Sequence, residues 1–397
     1  MSLHDEIEHN GKYYKREELL RRMLTGDFVL APDIIAVSSA TTLITEVHGL
    51  MCWAKENGVP YEKLLVCVSE TSQTLDLKKV YGGKINIIVD DECARYFHQI
   101  ATMVPHLCVN IGITHYTCFK PSPQHPASLH VHNGHIFFQM LNKWWVNRWY
   151  TWCTRLNKFR KDNPLLDFDY KPTPDLKAIL DPSKPLALIY CRAYAENSAA
   201  TPTDPETMVG AVDLLNGRGF QIVHIGREPT PPIFKEMGVI PYSDLPVASF
   251  ANDLFLFRHA KFNLIASSGL AFLTILNEMP GVWFNYWQWP SSPVSDNYIL
   301  LPSRLRDRRS GKIVPLSVLE IEFYENNLWY FPADLAECLN ADREDITDAC
   351  IRALDYGPDS TERGVMIRDI EMQGPLQELR NITFGRVPKS YLSKLVI

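Results

Sequence analysis

Four short apolar runs alternate with segments of helical periodicity in the second half of this sequence. The apolar runs are residues 186–191, 220–225, 262–266 and 282–285, and helical segments at 204–216, 248–258 and 270–278 lie between them. Apolar runs of this length, joined by helical crossovers, are typical of a parallel sheet covered by helices on both faces. The pattern predicts a Rossmann-like nucleotide domain, in which ligands bind beyond the carboxyl ends of the strands.

The first half shows the same alternation less regularly. It contains predicted strands at 28–37, 63–69 and 84–89 and predicted helices at 41–57 and 91–103. Prolines concentrate between residues 163 and 185, which favours a linker. We therefore predict an α/β protein with an N-terminal α/β domain at 1–170, a proline-rich linker at 171–185, a Rossmann-like domain at 186–340 and C-terminal helices at 341–397. Those helices are predicted at 342–354 and 361–379, and residues 297–303 are predicted to close a loop.

The composition narrows the class of protein. The formal charge of −6 argues against a nucleic-acid partner, because phosphate binding over a broad surface needs clustered Lys and Arg. Nine cysteines without a Cys-x-x-Cys pair favour a reducing compartment. The N-terminus is charged where a secretory signal would be apolar, and the sequence has no long apolar run. These features predict a cytoplasmic protein.

One segment has the composition of a membrane-surface helix. Residues 137–161 combine four tryptophans with six basic side chains. A basic, aromatic helix can lie on the anionic inner face of a membrane as a peripheral contact. Tryptophans at helical spacing also pack in cores or between domains, so the sequence leaves both interpretations open.

Ser267, Ser268 and Gly269 lie between the apolar run at 262–266 and the helical segment at 270–278. A turn at this place presents hydroxyl groups and backbone N–H groups at a helix N-terminus, which attracts anions. A glycine lets a ligand approach the backbone closely. The same sequence is also typical of a serine that only caps the N-terminus of a helix. The neighbouring strand ends favour the phosphate site over the cap alone.

Arg192 directly follows the apolar run at 186–191. Its guanidinium group can hold a diphosphate through two parallel hydrogen bonds. The alternative is a surface ion pair with Glu196 or Asp204. The strand-end position favours the ligand role, and the absence of any P-loop or Gly-x-Gly-x-x-Gly motif means that phosphate must be held in some such way.

The next two strand ends also carry candidate donor-binding residues. His224, Gly226 and Arg227 end the run at 220–225, where the glycine permits close approach and the arginine offers a second cation. A structural turn explains them nearly as well. Asn285 ends the last run and is followed by aromatic residues that can stack on a base or a sugar, or pack against one another.

A metal site is not predicted. Four histidines cluster in a loop, at His125, His130, His132 and His135, but their spacing does not fit a helical pair and no carboxylate lies within that loop. Asp167 and Asp169 match the letters of an Asp-x-Asp motif. They lie at the linker without a preceding apolar strand, so we discount them.

Several segments together carry a resemblance to a known family. They are Tyr190-Cys191-Arg192 and residues 219–226, 262–270, 279–285 and 386–392. These segments resemble a family of bacterial glycosyltransferases of surface-polysaccharide synthesis, which is distantly similar to the fucosyltransferase-like branch of the GT-B fold. The resemblance covers residue 186 to the C-terminus. Its most specific element is the succession of a strand, Ser-Ser-Gly-Leu at 267–270, a helix, Pro280, a strand and Asn285.

The resemblance implies two Rossmann-like domains facing a cleft. It implies a nucleoside diphosphate-sugar donor held by the C-terminal domain without a metal or other cofactor, and a glycan or lipid-linked acceptor held by the N-terminal domain. It assigns the donor phosphates to Arg192, Ser267 and Ser268, and a donor contact to Asn285. The sequence departs from the family at His224, where a more basic residue is expected, and at Arg227, where an acidic one is expected.

These observations predict a metal-independent glycosyltransferase, with Arg192 stabilising the leaving diphosphate. An acceptor hydroxyl needs a general base, for which Glu46 and His48 are the leading candidates and Glu70 and His115 further ones. The alternatives are a nucleotide-sugar epimerase or hydrolase of the same fold, or a non-catalytic nucleotide- or glycan-binding protein. The sequence does not determine the oligomeric state.

Overall fold

The computed structural model describes part of the 397-residue chain. The described residues are 6–9, 12–15, 18, 21–22, 29–30, 47, 50–51, 54–55, 57–94, 171–192, 202–268, 270–271, 273, 279–286, 297–315, 318, 336–366, 369–370 and 385–395. They form two compact units, of which one comprises Met1–Lys171 with Ser249–Ala251 and the other Pro172–Ala248 with Asn252–Ile397.

The first unit contains a parallel sheet. Strands β3 (Val29–Leu30), β4 (Leu64–Val68) and β5 (Asn86–Val89) lie side by side in this order, and β1 (Glu6–His9) pairs with β2 (Lys12–Lys15) as an antiparallel hairpin. All five residues of β4 are buried, as expected for a central parallel strand. Helix α1 (Ser72–Tyr81) joins β4 to β5.

The second unit is built on a seven-stranded sheet. Its strands are β6 (Leu186–Tyr190), β7 (Gln221–His224), β8 (Phe262–Ala266), β9 (Gly281–Tyr286), β10 (Tyr298–Pro302), β13 (Val365–Met366) and β14 (Arg386–Val387). Their order across the sheet is 13-14-10-9-8-6-7, and every neighbouring pair is parallel except β13 with β14. The prediction of an α/β fold with a mostly parallel sheet is confirmed.

The described helices of the second unit are short. They are α2 (Pro174–Ile179), α3 (Val209–Gly217), α4 (Pro232–Glu236), α5 (Phe250–His259), α6 (Arg343–Asp355) and α7 (Lys389–Leu392). Asp342 and Asp345 form a capping box at the start of α6, and the Lys394 ammonium group lies 3.0 Å from an Asp342 oxygen and 2.8 Å from both Asp345 oxygens. The C-terminal segment is thereby fastened to the beginning of α6.

Three segments differ from the sequence prediction. The predicted helix at 361–379 is wrong at its start, because Gly364 adopts a φ of 133° and the chain then forms β13, which joins the sheet through β14. Residues 341–397 therefore contain strands as well as helices. Residues 297–303 are not simply a loop, since they contain the fully buried strand β10. The predicted linker contains α2, which begins with a capping threonine and a proline.

A second sheet element branches from the end of β10. Strand β11 (Arg304–Asp307) pairs with β12 (Ala336–Leu339) in the antiparallel direction.

Among the residues that the structure describes, none of the helices has the length and apolar character needed to span a membrane.

Candidate functional site

The register of three strands brings the predicted phosphate ligands together. Strand β6 lies between β7 and β8, and Ile189 pairs with His224 on one side and with Leu264 on the other. Arg192 and Ser267 each lie two residues beyond the last pair of the β6–β8 register, Tyr190 with Ile265. After β6 the chain forms β7 on one side of that strand, and it later forms β8 on the other side. The carboxyl ends of β6 and β8 therefore flank a topological switch point. Such a point is where open parallel sheets bind ligands.

Arg192 lies in a polar cluster at this edge. Its Nε atom is 3.8 Å from Oε1 of Glu228, and the Tyr190 hydroxyl donates a hydrogen bond of 3.1 Å to the same oxygen. The Arg192 side chain is 31% exposed, so the guanidinium group remains accessible. Burial is the main reason that the pKa of Tyr190 rises to about 12, which keeps its hydroxyl protonated as a donor.

Sequence reasoning missed Tyr190 and Glu228 as members of this cluster. Tyr190 is the last residue of a buried strand, and its aromatic side chain looks like ordinary core. Glu228 directly follows Arg227, which drew attention to the cation instead. The signal that could have found them is the pairing of β6 with β7, which brings their carboxyl ends side by side.

The two serines have different environments. Oγ of Ser268 accepts a hydrogen bond of 3.1 Å from the Leu270 N–H, and its carbonyl oxygen accepts one from Ala271. Ser268 therefore caps the short 3-10 turn that follows β8. Ser267 is only 4% exposed, and no hydrogen bond to its hydroxyl group is found among the described residues.

We expect the two serines to separate the capping role from the phosphate role. Ser268→Ala should lower the free energy of unfolding by about 1 kcal/mol, whereas Ser268→Gly should lower it by only a few tenths. Ser267→Ala should leave the melting temperature unchanged but weaken nucleoside diphosphate binding. Melting curves and nucleotide titrations of the three variants measure both quantities. If the variants lose nucleotide affinity only in proportion to their loss of stability, Ser267 and Ser268 have no role in binding phosphate.

Gly226 packs directly against the Tyr190 ring. It has a φ of 111°, and a Cβ atom at this position would lie 2.6 Å from Cε2 of Tyr190. The glycine is thus required by the backbone conformation and by its aromatic neighbour. The Tyr190 side chain therefore approaches this glycine closely.

Replacing Gly226 with alanine is expected to lower the free energy of unfolding by about 2 kcal/mol, because a left-handed conformation and a ring contact are both strained. It should also weaken nucleotide binding, since the displaced Tyr190 ring carries the hydroxyl that bonds Glu228. Gly217→Ala is the matched control, because no atom would meet its Cβ within 4 Å and its φ is not in the left-handed region. Equal melting temperatures for the two variants would contradict the packing argument.

His224 lies in the core and not at the exposed edge. It is fully buried, and its Nδ1 atom lies 2.9 Å from Oγ of Ser243 and 3.1 Å from Oγ1 of Thr230. Burial lowers the pKa of His224 to about 4, so the imidazole is neutral at neutral pH. Its ring stacks on Tyr190 with centroids 6.3 Å apart. His224 therefore packs against the Tyr190 ring inside the core and helps to hold the cluster in place.

Asn285 connects two segments at the ends of the strands. It is fully buried with a φ of 58°, a conformation that asparagine tolerates better than most residues. Its Nδ2 donates to Oγ1 of Thr203 at 3.1 Å, and its Oδ1 accepts the Ala341 N–H at 2.8 Å. The Thr203 N–H in turn donates to the Arg192 carbonyl oxygen at 2.6 Å. Asn285 thus helps to hold the backbone that carries Arg192.

The remaining predicted site residues are less informative. Arg227 is exposed at the end of β7. Glu46, His48 and Gly269 lie outside the described residues, as do the four histidines of the predicted loop. Within the described ranges, no group of three or more His, Cys, Asp or Glu side chains is arranged to hold a metal ion. Metal independence therefore stays a prediction.

Comparison with known proteins gives only distant matches. No protein-family model and no curated protein matches the chain. TibC of enterotoxigenic E. coli H10407, described as a bacterial iron-containing dodecameric glycosyltransferase, shares 13% identity over 67% of this chain and 60% of its own, with a TM-score of 0.37. The E. coli heptosyltransferase WaaC with ADP shares 13% over 69% of this chain and 90% of its own, with a TM-score of 0.35.

A glycosyl transferase family 9 protein from Veillonella parvula DSM 2008 shares 11% identity over 69% of this chain and 87% of its own, with a TM-score of 0.36. The chain spans 60% of the length of TibC. At these identities and TM-scores the overlap does not by itself establish a shared fold or activity. The structure shows an α/β protein in which Arg192, Tyr190 and Glu228 form a polar cluster at the carboxyl end of β6, while Ser267 follows the neighbouring strand β8.

Proposed function

We propose that this chain is a glycosyltransferase that moves a sugar from a nucleoside diphosphate-sugar donor to a glycan or lipid-linked acceptor. The observation that carries the proposal is that Arg192 and Ser267 follow the carboxyl ends of the neighbouring parallel strands β6 and β8, at the switch point of the sheet. An accessible guanidinium group beside a hydroxyl without a hydrogen-bond partner among the described residues is suited to a diphosphate. The likeness of the sequence segments to surface-polysaccharide glycosyltransferases of the GT-B fold, and to their fucosyltransferase-like relatives, supports the same class.

Leaving-group stabilisation is the step that these residues can perform. Cleavage of the bond between the sugar and the diphosphate leaves negative charge on the phosphate oxygens, and a fixed cation beside them lowers the barrier. Arg192 supplies that charge in our proposal, and the Ser267 hydroxyl donates a hydrogen bond. The reaction needs no metal on this scheme. Glu46 or His48 would remove the proton from the acceptor hydroxyl.

Glu228 and Tyr190 keep Arg192 at the strand end. In the free protein the carboxylate of Glu228 attracts the guanidinium group, and the Tyr190 hydroxyl holds that carboxylate in place. A diphosphate carries more negative charge than Glu228 and would compete for Arg192. The described contacts therefore favour a cation that is oriented before the donor arrives.

A nucleotide panel tests the proposal. Melting curves with GDP, UDP, CMP and ADP, each in the presence of EDTA, should show stabilisation by one diphosphate, and a ligand at a hundredfold its Kd stabilises by about 2.7 kcal/mol. Sugar transfer is then measured with the matching nucleotide-sugar and a panel of acceptors. Nucleotide released without an acceptor would indicate a hydrolase or an epimerase, and binding without turnover would indicate a binding protein. Stabilisation only when manganese replaces EDTA would contradict the metal-free site.

A further inference from the structure

A basic hairpin leaves the sheet at the edge that carries the proposed donor site. Strand β10 runs parallel to β9 and β8, so its carboxyl end lies at the same edge as Arg192 and Ser267. After the buried Ser303 the chain enters β11 and turns back at residues 307–312, which we name the basic tip. The Val314 N–H donates to the Leu305 carbonyl oxygen and closes the hairpin behind the tip.

The charge of this hairpin is opposite to that of the whole chain. Residues 304–312 contain four arginines, one lysine and a single carboxylate, whereas the chain has a formal charge of −6. Arg306 pairs with Glu337 at 3.1 Å on the neighbouring strand. Arg308, Arg309 and Lys312 belong to the tip itself, in which every residue from 308 to 312 is exposed.

Hydrogen bonds fix the conformation of the basic tip. Oδ1 of Asp307 accepts the N–H groups of Arg309 at 2.6 Å and Ser310 at 3.1 Å, and the Asp307 carbonyl oxygen accepts the Gly311 N–H. The hydrogen bonds from Ser310 and Arg309 lower the pKa of Asp307, so its carboxylate stays ionised and engaged in the turn. Gly311 takes the left-handed conformation that the turn requires. The exposed basic residues therefore lie on a turn whose backbone is fixed.

We propose that the basic tip docks on an anionic lipid bilayer surface. Five successive exposed residues form a convex turn, which suits a flat and densely charged surface better than a single phosphate ligand. Basic residues near an anionic bilayer contribute about 1 kcal/mol each, or about fivefold in affinity. Three tip cations give a weak and reversible attachment, which would bring the carboxyl edge of the sheet close to the membrane. The proposal is independent of the glycosyltransferase assignment.

Vesicle binding by the full chain tests this inference. At low salt, the protein should co-sediment with vesicles of phosphatidylcholine containing about one quarter phosphatidylglycerol, and not with phosphatidylcholine alone. Arg308→Gln with Arg309→Gln should weaken binding about thirtyfold, and Lys312→Gln about fivefold. Raising the salt to about 0.15 M should weaken binding of the parent protein, because surface charges are then screened beyond about 8 Å.

The matched control removes the same charge at the opposite edge of the sheet. Lys184 and Lys261 are exposed; Lys184 lies two residues before the start of β6, and Lys261 directly precedes β8. Lys184→Gln with Lys261→Gln should bind vesicles like the parent, and melting curves of all variants should coincide. Equal binding by the tip variants and the parent, or no preference for phosphatidylglycerol, would overturn the proposal. Binding to soluble polyphosphate but not to vesicles would overturn it as well.

Discussion

Arg363→Met is expected to lower the free energy of unfolding by about 3–5 kcal/mol, because three carbonyl groups, of which that of Ala353 is buried, lose a charged donor at once. Arg363 is only 2% exposed. Its Nε donates to the Tyr356 carbonyl oxygen at 2.7 Å, and its Nη2 donates to that of Ala353 at 2.6 Å, so it satisfies the C-terminal end of α6. Its Nη1 donates to the Asn297 carbonyl oxygen, just before β10.

The position of Arg363 explains the expected size of this effect. Burial lowers the pKa of Arg363, and nearby Arg386 acts in the same direction. The cost of burying the cation is offset by hydrogen bonds to carbonyl oxygens that tie the end of a helix to the start of a central strand. Methionine has no hydrogen-bond donor, so it leaves the buried Ala353 oxygen unsatisfied and removes the charged donor from the other two. Chemical denaturation with a linear extrapolation measures the change.

Arg218→Met is the matched control for this prediction. Arg218 makes two hydrogen bonds of 2.6 and 3.0 Å to Asp355, the last residue of α6. Its side chain is 41% exposed, so solvent screens the pair and the midpoint of unfolding should barely move. If Arg363→Met unfolds at the same denaturant concentration as Arg218→Met, the carbonyl-capping argument is wrong.

Arg192→Ala is expected to weaken binding of the donor diphosphate by about 1.5–3 kcal/mol, or roughly tenfold to a hundredfold, since a charge-assisted hydrogen bond is lost. The fold should remain intact, because the side chain is partly exposed and its ion pair with Glu228 is long at 3.8 Å. Titration with the nucleoside diphosphate that stabilises the parent measures the loss. Turnover should fall with it, since the same charge stabilises the leaving group.

Lys261→Ala removes a cation from the opposite edge of the same sheet and serves as the control. It should bind nucleotide like the parent. The assignment fails if Arg192→Ala binds donor as tightly as Lys261→Ala. Unfolding of Arg192→Ala under native conditions would also contradict it, because the residue would then serve the core.

Some elements could be predicted from local sequence alone. The run at 262–266 is four apolar residues and Asn263, bounded by Lys261 and Ser267, and the structure has a strand with these bounds, Phe262–Ala266. Helix α1 was missed because its sequence, with several Ser, Thr and Lys residues, has a weak apolar period. Thr71 begins that helix with a capping box, and burial of Leu77 and Val80 stabilises it.

Strand β10 shows why local patterns were insufficient. Its apolar run is short and contains a proline, which is compatible with a loop or a strand. The deciding contacts are distant in sequence: Ile299 pairs with Val282, and the Tyr298 hydroxyl accepts a hydrogen bond of 2.9 Å from Nδ2 of Asn263. The strand propensity of a short segment carries no information about such distant partners.

The sequence by itself determined the class of fold, the succession of strands β6, β7, β8 and β9 along the chain and the strand ends at which Arg192 and Ser267 lie. Those features depend on apolar period and on the residues that stop it, which are local properties. Only the tertiary structure decided that β6 lies between β7 and β8. That arrangement brings Glu228 to Arg192 and Tyr190, and buries His224 beneath them. Strand order and register follow from packing across the sheet between residues far apart in sequence, and for this reason the composition of the site emerged only from the fold.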